Sequence, residues 1–114
     1  MAALQWAVIE ANLNPTLGME QKGMRPVLIV SNEDYNQTVG NVTVLPLTST
    51  KRRLYPSEIP LPEGKAGQPL ESIVMAHQVR TISKQRLGRV FGYLDDAKLR
   101  HEVYRALKEH LDME

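Results

Sequence analysis

The sequence predicts a mainly β fold with appended helical structure: a small, strongly bent sheet or open barrel that carries a C-terminal amphipathic helix. Three observations predict it. Short β-branched or apolar runs recur through the first three-quarters of the chain, broken by turns. From Asp95 onward the apolar period changes to that of a helix. No linker, repeat or low-complexity stretch divides the 114 residues, so positions 1–114 read as one domain with enough chain for a core.

The elements follow in order. Trp6 to Leu13 and Val27 to Val30 are apolar runs that read as strands. Between them lies Asn14-Pro15-Thr16-Leu17-Gly18-Met19-Glu20-Gln21-Lys22-Gly23-Met24-Arg25-Pro26, a polar, glycine-punctuated loop. Arg25 stands at the mouth of the second strand, where Pro26 holds the backbone extended on either side. Asn32 to Asn36 is polar enough for a loop or one helical turn. Val42 to Thr48 is β-branched and alternating, entered by Gly40-Asn41, and is the clearest strand. Pro46 inside it predicts an edge or a bulge at that point. A basic loop, Lys51-Arg52-Arg53, leads into a proline-punctuated extended stretch from Tyr55 to Pro62, then a loop over Glu63 to Gly67. Glu71 to Ala76, Val79 to Ile82 and Gly88 to Leu94 read as further short strands. Leu99, Val103, Ala106, Leu107 and Leu111 then recur at helical spacing, with Asp95 or Asp96 placed as the N-cap. The apolar stripe of this helix suits docking on the sheet better than binding a membrane.

Composition bounds the function. No apolar run is long enough to span a bilayer, and the first residues carry no basic region of a secretory signal. Cysteine is absent, which removes disulfide and thiolate chemistry and is compatible with a reducing cytoplasm. The net charge of +1 is not the basic excess of a general nucleic-acid binder, so any such binding rests on local charge. His77, His101 and His110 lack metal-ligand spacing, and no Walker loop, dinucleotide fingerprint or Gly-x-Ser-x-Gly turn occurs. An enzyme with this sequence is expected to work without metal or cofactor.

Polar residues collect instead at strand ends. Arg25 begins one strand, Thr48-Ser49 ends another just before Lys51-Arg52-Arg53, and His77-Gln78-Val79-Arg80 joins two more. In a small barrel such loops can converge at one end. The bases on them are Lys22, Arg25, Lys51, Arg52, Arg53 and Arg80, and the obvious acid is Glu20. A groove lined this way attracts a polyanion even on a nearly neutral protein. A guanidinium fixed at a strand mouth suits phosphate, because it is always charged and offers forked donors. The plainer alternative is a hairpin loop with one surface arginine, and a solvated turn at Lys51 to Arg53.

The order Asn-Pro-Thr-x-Gly-x-Glu-Gln-x-Gly-x-Arg-Pro, Val-Leu-Ile-Val-Ser-Asn, Pro-Leu-Thr-Ser and His-Gln-Val-Arg-Thr-Ile resembles the MazF/PemK (Kid) family of toxin–antitoxin ribonucleases. The match runs from about Val8 to the C-terminal helix. The resemblance implies an SH3-like β-barrel with appended helices, a homodimer, and neutralisation by a cognate antitoxin. It also implies metal-independent, sequence-specific cleavage of single-stranded RNA, by attack of the ribose 2′-hydroxyl on the adjacent phosphate. Two departures stand out. Gln5-Trp6-Ala7 replaces an Arg-Gly-Asp or similar trio, and His77 replaces a residue that is often acidic.

By the same resemblance Arg25 matches the catalytic arginine and Thr48 the catalytic threonine or serine. Arg25 is the natural clamp for a pentavalent phosphorane but an awkward general base, since a guanidinium keeps its proton. Thr48 can donate to a non-bridging oxygen or relay a proton, and Glu20 can serve as a base if it lies near the 2′-hydroxyl. Gln21, Lys22, Ser49, Lys51, Arg52, Arg53, Gln78 and Arg80 are candidates for holding RNA or its loops, with Tyr55 as a base-stacking residue. The basic loops would also suit an acidic, disordered antitoxin tail. Two rivals are a CcdB-like toxin that binds DNA gyrase and a catalytically silent relative that only binds RNA or antitoxin.

Overall fold

The computed structural model describes residues 2–113. Seven strands, β1 (Ala7–Asn12), β2 (Met24–Ile29), β3 (Asn41–Thr48), β4 (Glu58–Leu61), β5 (Ser72–Met75), β6 (Arg80–Ser83) and β7 (Leu87–Tyr93), are joined by α1 (Glu33–Thr38) and followed by α2 (Ala97–His110). The strands form one antiparallel sheet in the order β4-β5-β3-β2-β1-β7, with β6 also paired to β3. Register shifts in the β1–β7 ladder at Val8/Ile9 and Ile9/Ala11 bend the sheet. Among the described residues no ladder joins β4 to β7, so the sheet is bent but not closed. The expected small β fold with a C-terminal helix is therefore the one observed, in its open form.

Both faces of the central strands are buried, which is why Ala7 to Leu13 reads as an almost continuous apolar run. Val8, Leu28, Leu45 and Leu47 pack with Val74, Leu94, Val103 and Ala106, so α2 covers that face as its stripe predicts. Ile9, Val27, Ile29, Val42, Val44 and Ile82 form a second cluster on the other face. Asp96 caps α2 by accepting from the Leu99 N–H (3.1 Å).

Pro46 does not mark an edge or a bulge. It lies in β3, opposite Val27 of β2. The Val30 N–H donates to the Thr43 carbonyl (3.0 Å), so by antiparallel alternation residue 46 turns its backbone away from β2. On that side β3 pairs with β6 through Val44 and with β5 from Leu47, so Pro46 falls where the partner changes. A missing N–H costs no ladder bond there.

The N-terminal departure has a definite structure. Trp6 adopts φ 71°, the left-handed region that favours glycine. Its N–H donates to Ile29 O (2.7 Å), and its carbonyl accepts from the Leu94 N–H (2.8 Å). The indole is buried, meets Tyr104 edge-on at 5.3 Å and lies under the Arg100 guanidinium. Glu33 holds the preceding backbone by accepting from the Leu4 and Gln5 N–H groups. Burial raises the Glu33 carboxyl, but these donors with Gln37 and Asn36 outweigh it and lower the group to about 2.

Candidate active site

Register explains how the two proposed catalytic side chains meet. Val27 lies opposite Pro46, and carrying that register two residues further sets Arg25 across from Thr48. Both side chains then fall on one face, and both line a cavity of about 170 Å³ at the strand ends. Leu47, Ser49, Pro69 and Gln68 share its wall. Arg25 is half-buried, and its Nε donates to Lys22 O (3.1 Å), while the fork of the guanidinium has no partner among the described residues. Thr48 is buried, and its Oγ1 accepts from the Thr50 N–H (3.2 Å) and donates to Thr50 Oγ1 (3.2 Å). That turn fixes the hydroxyl beside the cavity.

A second cavity of about 310 Å³ adjoins the first through Ser49 and Ser72, and Lys51 and Arg52 line it. Lys51, Arg53 and Lys22 are exposed. Tyr55 is also exposed, with the Arg52 guanidinium 4.3 Å from its ring centroid. The Lys51 to Arg53 loop is nevertheless not a simple solvated turn. Arg52 makes a bidentate pair with Glu58, Nη1 to Oε1 and Nη2 to Oε2, each 2.8 Å. The Glu58 side chain is fully buried. It also accepts from the Tyr55 N–H (2.7 Å) and lies 2.9 Å from His77 Nε2. Burial pushes this carboxyl up, but Arg52, the Tyr55 N–H and His77 together hold it down at about 2. The Arg52 guanidinium is raised in turn, first by its hydrogen bonds to Glu58. The charge of Arg52 is thus largely spent inside the protein, where it shapes the loop that presents Lys51 and Arg53.

Glu58 was not visible as a functional residue in sequence. It sits in a proline-rich stretch with no periodicity, and its partners lie six residues before it and nineteen after. The only available signal was that the segment held one carboxylate close to three bases.

The loop between β1 and β2 is held by neighbours rather than left free. The Gln78 amide Oε1 accepts from the Gln21 N–H (3.3 Å), and its Nε2 donates to Met19 O (3.4 Å). Arg80 donates to Leu13 O (3.2 Å), so it supports the end of β1 instead of facing a ligand freely. Arg86, not anticipated, donates to the Asn12 carbonyl at the end of β1 and to the Asn14 carbonyl of the same loop. Glu20 Oε1 accepts from the Leu17 N–H (2.8 Å) at the exposed tip. Arg25, Thr48, Ser49 and Lys51 therefore line adjoining cavities, while Gln78 and Arg80 act on the loop that leads into them. Among the described residues no group of three or more His, Asp or Glu side chains could hold a metal ion. No helix among them is long and apolar enough to cross a membrane.

A larger cavity, about 480 Å³, lies elsewhere, between α2 and the sheet at Val30, Val79, Tyr104 and Leu107. Its lining is chiefly apolar and holds neither Arg25 nor Thr48.

The chain is similar to known proteins over nearly its whole length. The family model described as PemK-like, MazF-like toxin of type II toxin–antitoxin systems matches residues 4–111. The endoribonuclease MazF9 of Mycobacterium tuberculosis is 34% identical over 109 residues, covering 91% of this chain and 92% of that protein. The endoribonuclease EndoA of Bacillus subtilis is 33% identical over 87 residues, 75% of each chain. Among solved structures, MazF of Deinococcus radiodurans superimposes with a TM-score of 0.82 at 28% identity, covering 96% of both chains. A mycobacterial endoribonuclease in complex with its cognate antitoxin gives 0.80 at 27% identity, covering 99% of this chain and 98% of that one. With the family model spanning almost the whole chain and the fold matching throughout, this protein belongs to the PemK-like, MazF-like toxins of type II toxin–antitoxin systems.

Proposed function

We propose that this toxin is a metal-independent endoribonuclease that cleaves single-stranded RNA at defined sequences. The observation that carries the reading is the placement of Arg25 and Thr48 across from each other at one cavity, with Arg25's fork without a partner among the described residues. In the reaction the 2′-hydroxyl oxygen forms a bond to phosphorus while the bond to the 5′-oxygen breaks. The products are a 2′,3′-cyclic phosphate and a 5′-hydroxyl. The nucleophile loses a proton to a base and the leaving oxygen gains one. Arg25 neutralises the equatorial oxygens of the phosphorane, where charge accumulates. Thr48 supplies a hydroxyl donor already oriented by the Thr50 turn. Glu20 sits at the exposed tip of the loop leading to Arg25 and lines neither cavity, so it can accept that proton only if the loop folds onto the bound RNA.

Lys22, Lys51, Arg53 and Ser49 draw the RNA backbone along the adjoining cavities, and Tyr55 stacks a base. Arg52, Gln78 and Arg80 act largely by fixing the loops that carry these groups, and Gln21 takes part through its backbone N–H. The protein works in the cytoplasm as a two-fold homodimer, and an acidic antitoxin segment occupies the basic groove until it is removed. The antitoxin complexes solved for mycobacterial and Deinococcus relatives support that partner class. A gyrase-binding role is not favoured, because relatives over most of the chain are endoribonucleases.

Incubation with a long RNA in excess EDTA tests the reading. Discrete fragments bearing 5′-hydroxyl ends are expected. Intact RNA after prolonged incubation with folded, antitoxin-free protein would overturn it.

A further inference from the structure

Gln68 sits at the wall of the cavity that Arg25 and Thr48 share. It is 6% exposed, and its amide Nε2 is buried with no hydrogen-bond partner among the described residues. Such an atom is rare, because a buried amide donor without an acceptor forfeits the hydrogen bonds it made to water. The backbone leaves the residue little choice of position. The Gln68 N–H donates to Lys65 O (3.0 Å), and its carbonyl accepts from the Gly64 N–H (2.8 Å). The same turn is clamped on β7: Gly67 has φ 74°, and a Cβ there would lie 2.1 Å from Phe91 O. Gly92 approaches from the other side, where a Cβ would lie 2.7 Å from Ala66 C.

The fold thus spends two close backbone contacts to fix a turn whose side chain is polar, buried and unpaired. An apolar residue of the same length would fill that space at no hydrogen-bonding cost. Turning about its last torsion would bring this unpartnered amide toward the cavity it lines. The rest of the wall says which part of a ligand it would meet. Arg25 and Thr48 already provide for the phosphate, whereas exposed Pro69 and Leu70 give the same cavity an apolar wall. An apolar surface next to one carboxamide suits a nucleobase, stacked on its face and hydrogen-bonded on its edge.

We infer that Gln68 is a specificity-determining residue that reads the edge of the nucleobase next to the scissile phosphate. This rests on the proposed RNA cleavage. The carboxamide can turn about its last torsion, so it can offer donor and acceptor together to a base edge.

The test uses full-length wild type, Gln68→Met and Gln68→Ala. Cleavage sites are first mapped on a long RNA. kcat/KM is then measured on short RNAs carrying each of the four bases on either side of the scissile phosphate. The wild type is expected to prefer one base at one flank, and both variants are expected to reduce that preference by about tenfold. Activity on the disfavoured bases should change by less than about threefold. The Tm of Gln68→Met should equal or exceed that of the wild type, since the unpaired donor is gone. Unchanged preference in the variants, an equal fall on all four bases, or a lowered Tm in both variants would overturn the inference and leave RNA cleavage standing. Absence of cleavage by the wild type would overturn cleavage itself, and the inference with it.

Discussion

Glu58→Gln removes one charge from a fully buried carboxylate while keeping its shape, and the structure sets the size of the effect. The carboxyl falls from an ordinary 4.5 to about 2 in the folded protein. A depression of that size corresponds to about 3 kcal/mol of stability at neutral pH. The same order follows from breaking a buried ion pair on one side, about 3–5 kcal/mol, because Arg52 is then left without its counter-ion. The folded-state value lies below the unfolded one. The contribution is therefore complete above 4.5 and is lost as pH falls through about 2. Urea unfolding of wild type and variant across that range measures it. Other carboxylates, Glu33 among them, cancel in the difference between the two proteins. The wild-type advantage should be about 3 kcal/mol at pH 7 and should shrink steadily between pH 4.5 and 2. An advantage that does not vary with pH would refute the reasoning, since it would show that the ionised carboxylate is not what the ion pair stabilises.

Other expectations are briefer. Trp6→Ala should be less stable than Trp6→Gly, the reverse of the usual order. Both lose the buried indole, but only glycine relieves a left-handed residue, worth about 1–3 kcal/mol; equal stabilities would remove that claim. Thr48→Ala should lose RNA cleavage about a hundredfold while Thr48→Ser keeps most of it, because the hydroxyl and not the methyl acts. Reversing charge at Lys51 and Arg53 together should lower the salt slope of RNA binding by about 1–2. An unchanged slope would place the RNA path elsewhere. Arg52 is left out of that pair because its reversal would also break the Glu58 contact.

Much of the fold was legible because each element obeys a local rule. The alternation from Val42 to Thr48 gave β3, and the spacing of Leu99, Val103 and Ala106 gave α2 with its Asp96 cap. What stayed hidden depends on which strand meets which. Pro46 reads as an edge signal, and only the change of partner from β6 to β5 shows why a central strand tolerates it. Arg25 and Thr48 could be placed at strand ends, but their meeting follows from register, which no local pattern states. Glu58 and Gln68 were hidden for a related reason. Carboxylates and carboxamides are usually exposed, and both lie within two residues of proline or glycine, where a sequence reads as a turn. Their burial arises from packing of β4 on β5 and of the Gly67 turn on β7.

The central claim is that Arg25 and Thr48 hold a phosphate under attack by its own 2′-hydroxyl. It is tested most directly by a short RNA containing the mapped cleavage site, in two versions that differ by one 2′-deoxy nucleotide at the scissile position. Single-turnover rates are measured in excess EDTA with wild type and with Arg25→Ala, after circular dichroism has shown both to be folded. The wild type should cut the all-ribose strand and leave the deoxy strand intact while binding both. Arg25→Ala should cut the ribose strand at least about a hundredfold more slowly. Normal cleavage of the deoxy strand, or full activity of the folded arginine variant, would contradict the account.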